Sequence, residues 1–176
     1  MDLYFLRHAS AGQSLSDPKK DEKRPLDQEG IEQAKQMGRL LETLKVEFDA
    51  IISSPLTRAE QTASLAAKEL GQQDKIVLDE ALRPDATYDQ FQDLLRKNSK
   101  KKVIMVVGHN PNFSEFLSLL ISENATESVV EMKKGGLAKV DVKQLRGMLT
   151  WYVTPKLLKT AQTTSASSSR PNTSRK

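Results

Sequence analysis

The chain has 176 residues, of which 38% are hydrophobic and 28% are charged, and it contains no cysteine. This composition is typical of a globular domain of ordinary size, and it excludes disulfides, thiolate metal sites and cysteine nucleophiles. With only two histidines, a histidine-based metal cluster is also excluded. The longest continuous apolar run, Val103 to Val107, is far too short to cross a bilayer. We therefore expect a cytoplasmic protein that does not bind a membrane. The composition does not exclude a carboxylate metal site, although we expect no metal.

The net charge of +4 belongs to the C-terminal segment rather than to the body of the chain. Five basic residues and no acidic residue follow position 155, which leaves 22 basic and 23 acidic residues before it. A nucleic-acid-binding domain carries its positive charge on a folded face, so we expect no nucleic-acid partner. Residues 160–176 include nine Ser or Thr and no large apolar residue. The composition predicts a domain over residues 1–155 and a disordered, Ser/Thr-rich basic tail over 156–176.

Short apolar runs alternate with helical patterns along the domain. The runs predict strands at 3–6, 50–52, 76–78 and 102–107, and the periodicity predicts helices at 27–44, 57–70, 88–97 and 112–121. Two further strands, at 137–142 and 149–153, follow each other with no helix between them and predict an antiparallel edge. The fold class is therefore α/β: a three-layer α/β/α sandwich with a mostly parallel sheet and an antiparallel C-terminal edge.

Three of the predicted strands end in residues that can bind an anion. Arg7-His8 follows the first strand, Ser53-Ser54-Pro55 the second, and Gly108-His109-Asn110-Pro111 the fourth. The carboxyl ends of parallel strands lie at one edge of a sheet, where such folds place their ligands. The side chains that we expect to converge at this edge are those of Arg7, His8, Arg58 and His109.

The residues after the second and fourth strands also predict where two helices begin. Ser54-Pro55 and Asn110-Pro111 each place a good N-cap residue before a proline at the first helical position. Helix N-termini offer free N–H groups, and the two arginines add permanent charges and forked donors. This combination favours an anion of high charge density, and a phosphoryl group fits it best.

Four motifs carry a resemblance to a known family. They are Leu-Arg-His-Ala at 6–9, Arg-Pro-Leu at 24–26 with Gly30, Ser-Ser-Pro-Leu-Thr-Arg-Ala-Glu-Gln-Thr-Ala at 53–63, and Gly-His-Asn-Pro at 108–111. In this combination the chain resembles the histidine phosphatase superfamily, which has the phosphoglycerate-mutase-like fold, over about residues 1–155. The short chain leaves no room for a large helical cap and is most similar to the SixA-type phosphohistidine phosphatases. Ala9 stands where much of the superfamily has glycine, a replacement common in the SixA-like branch.

The resemblance implies a role for each of the four converging side chains. It implies that His8 is the nucleophile, which takes the phosphoryl group as a covalent phosphohistidine. It implies that Arg7, Arg58 and His109 hold the phosphoryl oxygens. A nucleophilic imidazole must be neutral, and nearby guanidinium groups favour that form by lowering its pKa below the usual value of about 6.5. We expect no cofactor, because the arginines neutralise the phosphoryl charge.

Two further residues have open assignments. Arg24 either contacts the phosphoryl group or orients the loop before the first long helix. Glu80 lies in roughly the region where larger relatives have a Glu that protonates an alcohol leaving group, but it can equally be a surface acid. A phosphohistidine substrate reduces the need for such an acid, because its leaving imidazole has a pKa of about 6.5.

The sequence thus predicts a phosphatase that acts through His8 and dephosphorylates histidine on a protein. One alternative is a small-molecule phosphomonoesterase of the same superfamily. Another is a non-catalytic phosphate-binding module, although binding alone would not need a nucleophile. We expect a monomer whose partner is a phosphorylated protein or a small phosphorylated substrate.

Overall fold

The computed structural model describes residues 1–122 and 127–168. These residues form six strands and six α-helices. The strands are β1 (Asp2–Arg7), β2 (Ala50–Ser53), β3 (Ile76–Leu78), β4 (Val103–Gly108), β5 (Leu137–Lys143) and β6 (Arg146–Val153). The helices are α1 (Pro18–Glu22), α2 (Gln28–Thr43), α3 (Thr57–Leu70), α4 (Tyr88–Lys97), α5 (Asn112–Ile121) and α6 (Pro155–Ser168). Short 3-10 helices at Gln73–Lys75 and Glu80–Leu82 flank β3.

The strands form one mixed sheet in the order β3-β2-β4-β1-β5-β6. The four strands from β3 to β1 are parallel, whereas β5 runs antiparallel to both β1 and β6. The difference follows from the connections, because parallel neighbours need a crossover whereas β5 and β6 are joined by a two-residue turn at Gln144 and Leu145. This arrangement confirms the predicted sheet.

The two faces of the sheet build two separate cores. Leu3 and Phe5 of β1 pack in one core with apolar residues of α4 and α5. Tyr4 and Leu6 pack in the other core with residues of α2 and α3. Successive side chains of a strand point to opposite faces, so the continuous apolar run in β1 serves both cores. The result is the predicted three-layer α/β/α sandwich.

The helix boundaries follow local signals in most cases. Asp27 is the N-cap of α2, and its carboxylate accepts a hydrogen bond from Gly30 N at 2.7 Å. Gly71 ends α3 in the left-handed conformation, with a φ of 66°. Thr87 and Gln90 form a reciprocal capping box at the start of α4. None of the helices in the described ranges is both long and apolar enough to span a membrane.

The predicted caps of α3 and α5 are wrong. The observed N-cap residues are Leu56 and Pro111, and neither makes a side-chain cap bond. The polar side chains expected to cap these helices are used elsewhere. The Ser54 hydroxyl lies 2.9 Å from Nε2 of His109, and the Asn110 amide donates to Met132 O at 3.0 Å. Neither residue is therefore the N-cap: Asn110 binds the segment before β5, and Ser54 contacts His109 while accepting only a long bond of 3.4 Å from Leu56 N.

The segment predicted to be a disordered tail from residue 156 is instead helical as far as residue 168. Pro155 is buried at the start of α6, and the Thr154 hydroxyl accepts a hydrogen bond from Leu157 N at 3.3 Å. Leu158 packs against the core formed with α2 and α3. These contacts anchor the start of the helix, a contribution that composition alone does not reveal. The predicted tail over 169–176 lies outside the described residues.

Gly30 lies where α2 packs against the loop after β1. A Cβ atom at this position would lie 1.9 Å from the carbonyl oxygen of Ser10, so the backbone would have to shift. We expect Gly30→Ala to lower the free energy of unfolding by about 2–3 kcal/mol, measured by urea denaturation. Gly71→Ala is the control, because its position has space but a left-handed φ, and it should cost about 1 kcal/mol. Equal losses in the two variants would contradict the close contact at Gly30.

Candidate active site

Three parallel strands end together at the carboxyl edge of the sheet. Arg7 pairs in register with Gly108, and the backbone N–H of His8 donates to Gly108 O at 2.9 Å. The backbone N–H of Ser54 donates to Val107 O at the same distance. These bonds place the residues after β1, β2 and β4 side by side. The rings of the two histidines, about a hundred residues apart in sequence, consequently lie 5.0 Å apart between centroids.

The imidazole of His8 is held in one tautomer. Its Nδ1 lies 2.8 Å from the carbonyl oxygen of Ala9, which can only accept a hydrogen bond, so Nδ1 carries the ring proton. The side chain is buried, and burial together with the charges of Arg58 and Arg7 lowers its pKa to about 3. At neutral pH the ring is therefore uncharged, and Nε2 has a free lone pair. This is the state that a nucleophilic imidazole requires.

Two guanidinium groups lie beside the histidines, that of the buried Arg58 and that of the half-buried Arg7, and each is fixed by a backbone carbonyl. Arg7 Nη1 donates to Met132 O at 2.7 Å, and Arg58 Nη1 donates to Asp21 O at 2.9 Å. The Nε atom of each arginine is buried without a hydrogen-bond partner. The charges of both arginines lower the pKa of His8 and of His109, which places all four groups in one electrostatic cluster.

Most of the unpartnered buried polar atoms among the described residues belong to this cluster. Where the structure describes side chains, four buried nitrogen or oxygen atoms lack a hydrogen-bond partner: Arg7 Nε, Arg58 Nε, His109 Nδ1 and Asn110 Oδ1. An unsatisfied buried polar group costs about 1–3 kcal/mol, so such groups are rare without a reason. Two of them belong to cations and a third to an imidazole that can donate. The cluster is therefore suited to hold an oxyanion.

His109 is the least exposed of the four converging side chains, at 2%. Its Nε2 lies 2.9 Å from the hydroxyl oxygen of Ser54. Burial, followed by the influence of His8 and Arg58, lowers its pKa to about 2. The ring is neutral at physiological pH and offers one N–H and one lone pair.

The loop after β1 is held in place from two sides. Thr62 accepts from Ala9 N at 3.1 Å and donates to Arg58 O at 2.7 Å, so one hydroxyl joins this loop to α3. On the other side, Asp27 Oδ2 accepts from the Ser10 hydroxyl at 2.7 Å and from Gly12 N at 2.8 Å. These bonds give a structural reason for the Thr in the 53–63 motif and for the polar residue after Arg-Pro-Leu.

Comparison with known proteins agrees with this geometry. Residues 3–102 match the profile of the histidine phosphatase superfamily (branch 1), which covers more than half of the chain. The chain belongs to the histidine phosphatase superfamily. A curated relative, an uncharacterised protein of Picosynechococcus sp., is 33% identical over 140 residues, which cover 78% of this chain and 82% of the relative. Members of the superfamily are phosphatases and mutases.

Solved structures of several phosphatases have the same fold. The protein histidine phosphatase SixA complexed with tungstate gives a TM-score of 0.80 at 22% identity, covering 90% of this chain and 99% of that one. A putative phosphohistidine phosphatase SixA from Agrobacterium tumefaciens gives 0.75 at 25% identity, covering 88% and 97%. A putative alpha-ribazole-5'-P phosphatase from Escherichia coli gives 0.72 at 20% identity, also covering 88% and 97%. The predicted phosphoglycerate-mutase-like fold is confirmed.

Arg24 is engaged by the protein through all three of its nitrogens. Its Nε lies 2.7 Å from Asp21 Oδ1, its Nη2 lies 3.4 Å from Asp21 Oδ2, and its Nη1 donates to Ala11 O at 2.5 Å. The hydrogen bond from Arg24 is the main cause that lowers the pKa of Asp21 to about 2. Asp21 also lies 3.3 Å from Arg58 Nη1. Of the two predicted roles for Arg24, this geometry favours orienting the loop and α1.

Glu80 is placed on the surface rather than among the buried groups. Its side chain is 76% exposed and lies 3.5 Å from Nε of Arg83. Arg83 also pairs with Glu22 of α1, and its charge contributes to the lowered pKa of His109. Arg83 directly follows the short 3-10 helix that begins at Glu80, and no sequence motif pointed to it.

Metal ligands are not grouped in this region. Across residues 1–122 and 127–168, no three His, Asp or Glu side chains lie together in an arrangement that could hold a metal ion. The groups that face the buried cluster are mainly donors from arginine and histidine, which suit an anion rather than a cation.

The two buried histidines are expected to make the native state less stable in acid. Their pKa values of about 3 and about 2 lie below the unfolded value of about 6.5. Between these limits the unfolded state binds more protons, so the free energy of unfolding falls as the pH falls below 6.5. We expect the pair to contribute about 2–2.5 kcal/mol per pH unit between pH 6 and pH 4, measured by urea denaturation without phosphate.

The doubly substituted His8→Gln, His109→Gln protein is the control for that measurement. It retains every carboxylate, so any acid sensitivity that remains comes from those groups. A pH slope equal to that of the unsubstituted protein would contradict the assignment of both histidines as neutral in the native state.

Proposed function

We propose that this protein hydrolyses phosphohistidine on a partner protein through a covalent phosphohistidine at His8. The observation that carries the proposal is the state of the His8 ring, with its proton held on Nδ1 by Ala9 O and an unprotonated Nε2. A group that only bound phosphate would gain nothing from such a nucleophile. The non-catalytic binding module is therefore the weaker alternative.

The reaction proceeds in two displacements at phosphorus. Nε2 of His8 attacks the phosphorus atom and the P–N bond of the substrate breaks, so that the substrate imidazole departs neutral, with a proton from solvent on its other ring nitrogen. A water molecule then attacks the phosphoryl group on His8. This second step releases inorganic phosphate and restores the neutral imidazole. Nε2 needs no deprotonation before the first step, because burial already keeps the ring neutral.

The transferring phosphoryl group spreads its negative charge over three oxygens. The Nε atoms of Arg7 and Arg58 are buried donors with no partner in the protein. Nδ1 of His109 is the third such nitrogen. Donors that are fixed before the reaction stabilise developing charge without reorganisation, which is the largest contribution to catalysis at many sites.

The carboxylates around the cluster favour a leaving group that needs little protonation. Asp21 is paired with two arginines, and its lowered pKa of about 2 keeps it ionised. Glu22 and Glu80 are both paired with Arg83. An efficient general acid has a pKa near the working pH, and the pKa of Asp21 lies far below it. The imidazole of a phosphohistidine is a good leaving group, because its protonated form has a pKa of only about 6.5. An alkoxide is far more basic and needs an acid to protonate it as it leaves.

A small-molecule phosphomonoesterase is the second candidate. Its support is the fold similarity to the putative alpha-ribazole-5'-P phosphatase, together with Glu80 two residues after β3. In this case Glu80 would have to leave Arg83 and donate a proton to an alkoxide.

The test compares turnover of a phosphohistidine-carrying protein with turnover of sugar phosphates and nucleotides, using His8→Ala as the background control. We expect kcat/KM for the phosphohistidine protein to be higher by at least about tenfold, because its leaving group is better. A preference for a sugar phosphate or a nucleotide would favour the second candidate. Turnover that is absent with every substrate would overturn the proposal of hydrolysis.

A further inference from the structure

Ser54 is a fully buried residue whose hydroxyl faces the second histidine of the cluster. It follows β2, and its Oγ lies 2.9 Å from Nε2 of His109, which follows β4. The backbone bond from Ser54 N to Val107 O holds the two strand ends at this spacing. The pairing of β2 with β4 therefore fixes the contact between Ser54 and His109. The sequence pattern gives this hydroxyl only the role of a helix cap, and the expected roles of the four converging side chains do not use it.

The direction of this hydrogen bond follows from the partners of each atom. A serine hydroxyl has one proton to donate and two lone pairs that accept. The backbone N–H of Leu56 donates to Ser54 Oγ at 3.4 Å, which uses a lone pair. The proton of the hydroxyl is then available for His109 Nε2. Because His109 is neutral, a ring that accepts at Nε2 carries its own proton on Nδ1.

The opposite tautomer would leave the Ser54 hydroxyl and Nδ1 of His109 without suitable hydrogen-bond partners. If Nε2 carried the proton, the hydroxyl of Ser54 would be left without an acceptor in the interactions described above. Nδ1 of His109, which is buried and without a partner, would then present a lone pair. A lone pair repels the oxygens of a phosphoryl group, whereas an N–H donates to them. Both buried groups are satisfied together only with the proton on Nδ1 and an oxyanion in the cluster.

We propose that Ser54 is a positioning residue that holds His109 in the Nδ1–H tautomer and so makes this ring a donor to the phosphoryl oxygens. The effect on catalysis rests on the function proposed above, but the tautomer itself does not. Both rings then carry their proton on Nδ1, but through opposite hydrogen bonds: Ala9 O accepts from Nδ1 of His8, whereas Ser54 Oγ donates to Nε2 of His109. His8 therefore leaves the lone pair of Nε2 free to attack phosphorus. His109 instead leaves the N–H of Nδ1 free to donate to a phosphoryl oxygen.

Ser53 provides a matched control next to Ser54. It is also fully buried, but its hydroxyl donates to the carbonyl oxygen of Ser54 at 2.9 Å and does not bond to the imidazole. Ser53→Ala and Ser54→Ala therefore remove the same atom from neighbouring buried positions. Only the second change removes the partner of His109.

The direct test is the ¹⁵N spectrum of the imidazole groups near neutral pH, assigned with His8→Gln. In the unsubstituted protein we expect His109 to show a protonated Nδ1 and an unprotonated Nε2. Ser54→Ala should give a mixture of tautomers or the reverse tautomer, whereas Ser53→Ala should leave the spectrum unchanged. A protonated Nε2 in the unsubstituted protein would overturn the proposal, and this outcome requires no variant to fold.

The second readout is turnover of a phosphohistidine protein. Ser54→Ala should lower kcat/KM by about tenfold, the loss expected when one neutral hydrogen bond no longer orients a donor, and Ser53→Ala should change it by less than about twofold. Ser54→Cys, which retains a weak donor, should fall between them. Equal turnover in both alanine variants would overturn the catalytic part of the inference. If the unsubstituted protein has no turnover, the proposed function fails, while the ¹⁵N spectrum still decides the role of Ser54.

Discussion

Substitution of His8 with alanine is expected to lower phosphohistidine hydrolysis by at least about 10⁴-fold, because it removes the nucleophile on which both chemical steps depend. No neighbouring residue can replace it. The second imidazole is engaged by Ser54, and the two guanidinium groups have no lone pair that could attack phosphorus. The rate should be measured as phosphate release from a phosphohistidine protein with enzyme in excess, so that product release does not mask the chemical step.

The same variant separates catalysis from binding. His8 carries no charge at neutral pH, and the donors from Arg7, Arg58 and His109 remain after its removal. We therefore expect His8→Ala to bind inorganic phosphate within about threefold of the unsubstituted affinity, measured by calorimetry. If the variant retained turnover within about tenfold of the original, His8 would not be the nucleophile. If it lost phosphate binding completely, the loss of turnover would instead report a collapsed site.

Replacement of Arg58 with glutamine is expected to lower kcat/KM by about 10²–10³-fold. The change removes a buried positive charge and the unpartnered Nε donor beside the histidines. Arg58→Lys keeps a charge but loses the fork of donors and should still cost at least about tenfold. The measurement is the initial rate of phosphohistidine hydrolysis over a range of substrate concentrations.

Arg39 supplies a matched control for the arginine variants. It lies on α2, is 54% exposed and makes only a loose ion pair, with Nη1 4.0 Å from Glu69 Oε1. Arg39→Gln should change kcat/KM by less than about twofold, because an exposed pair contributes little. If Arg58→Gln were as active as Arg39→Gln, the role of the buried guanidinium in transition-state stabilisation would be contradicted.

The architecture was predictable because its signals are local. The apolar run of β4 and the helical periodicity of α2 and α3 each mark an element within about 15 residues. The convergence of Arg7, His8 and His109 then follows from a topological rule, since parallel strands place their carboxyl ends at one edge. The sequence motifs were enough to identify the residues at that edge without any knowledge of distances.

The features missed by the sequence depend on contacts between distant residues. Asp21 lies in the short polar helix α1, and only its contacts with Arg24 and Arg58 show that it belongs beside the cluster. Ser54 was predicted to cap a helix because serine before proline is a common signal for a helix start. Its hydroxyl instead contacts Nε2 of His109. The Ser/Thr-rich composition after residue 160 led to the prediction of a disordered tail, although Leu158 packs on the core and anchors α6. In each case a tertiary contact overrides a local preference.

The central claim is that the phosphoryl group passes through His8, and trapping the phosphorylated protein tests it most directly. The protein should be mixed with a phosphohistidine protein, quenched in alkali within one turnover, digested and analysed by mass spectrometry. We predict an acid-labile phosphoryl group on the peptide that contains His8, and none in His8→Ala. Turnover that proceeds while His8 stays unmodified, or while another residue carries the phosphoryl group, would contradict the account.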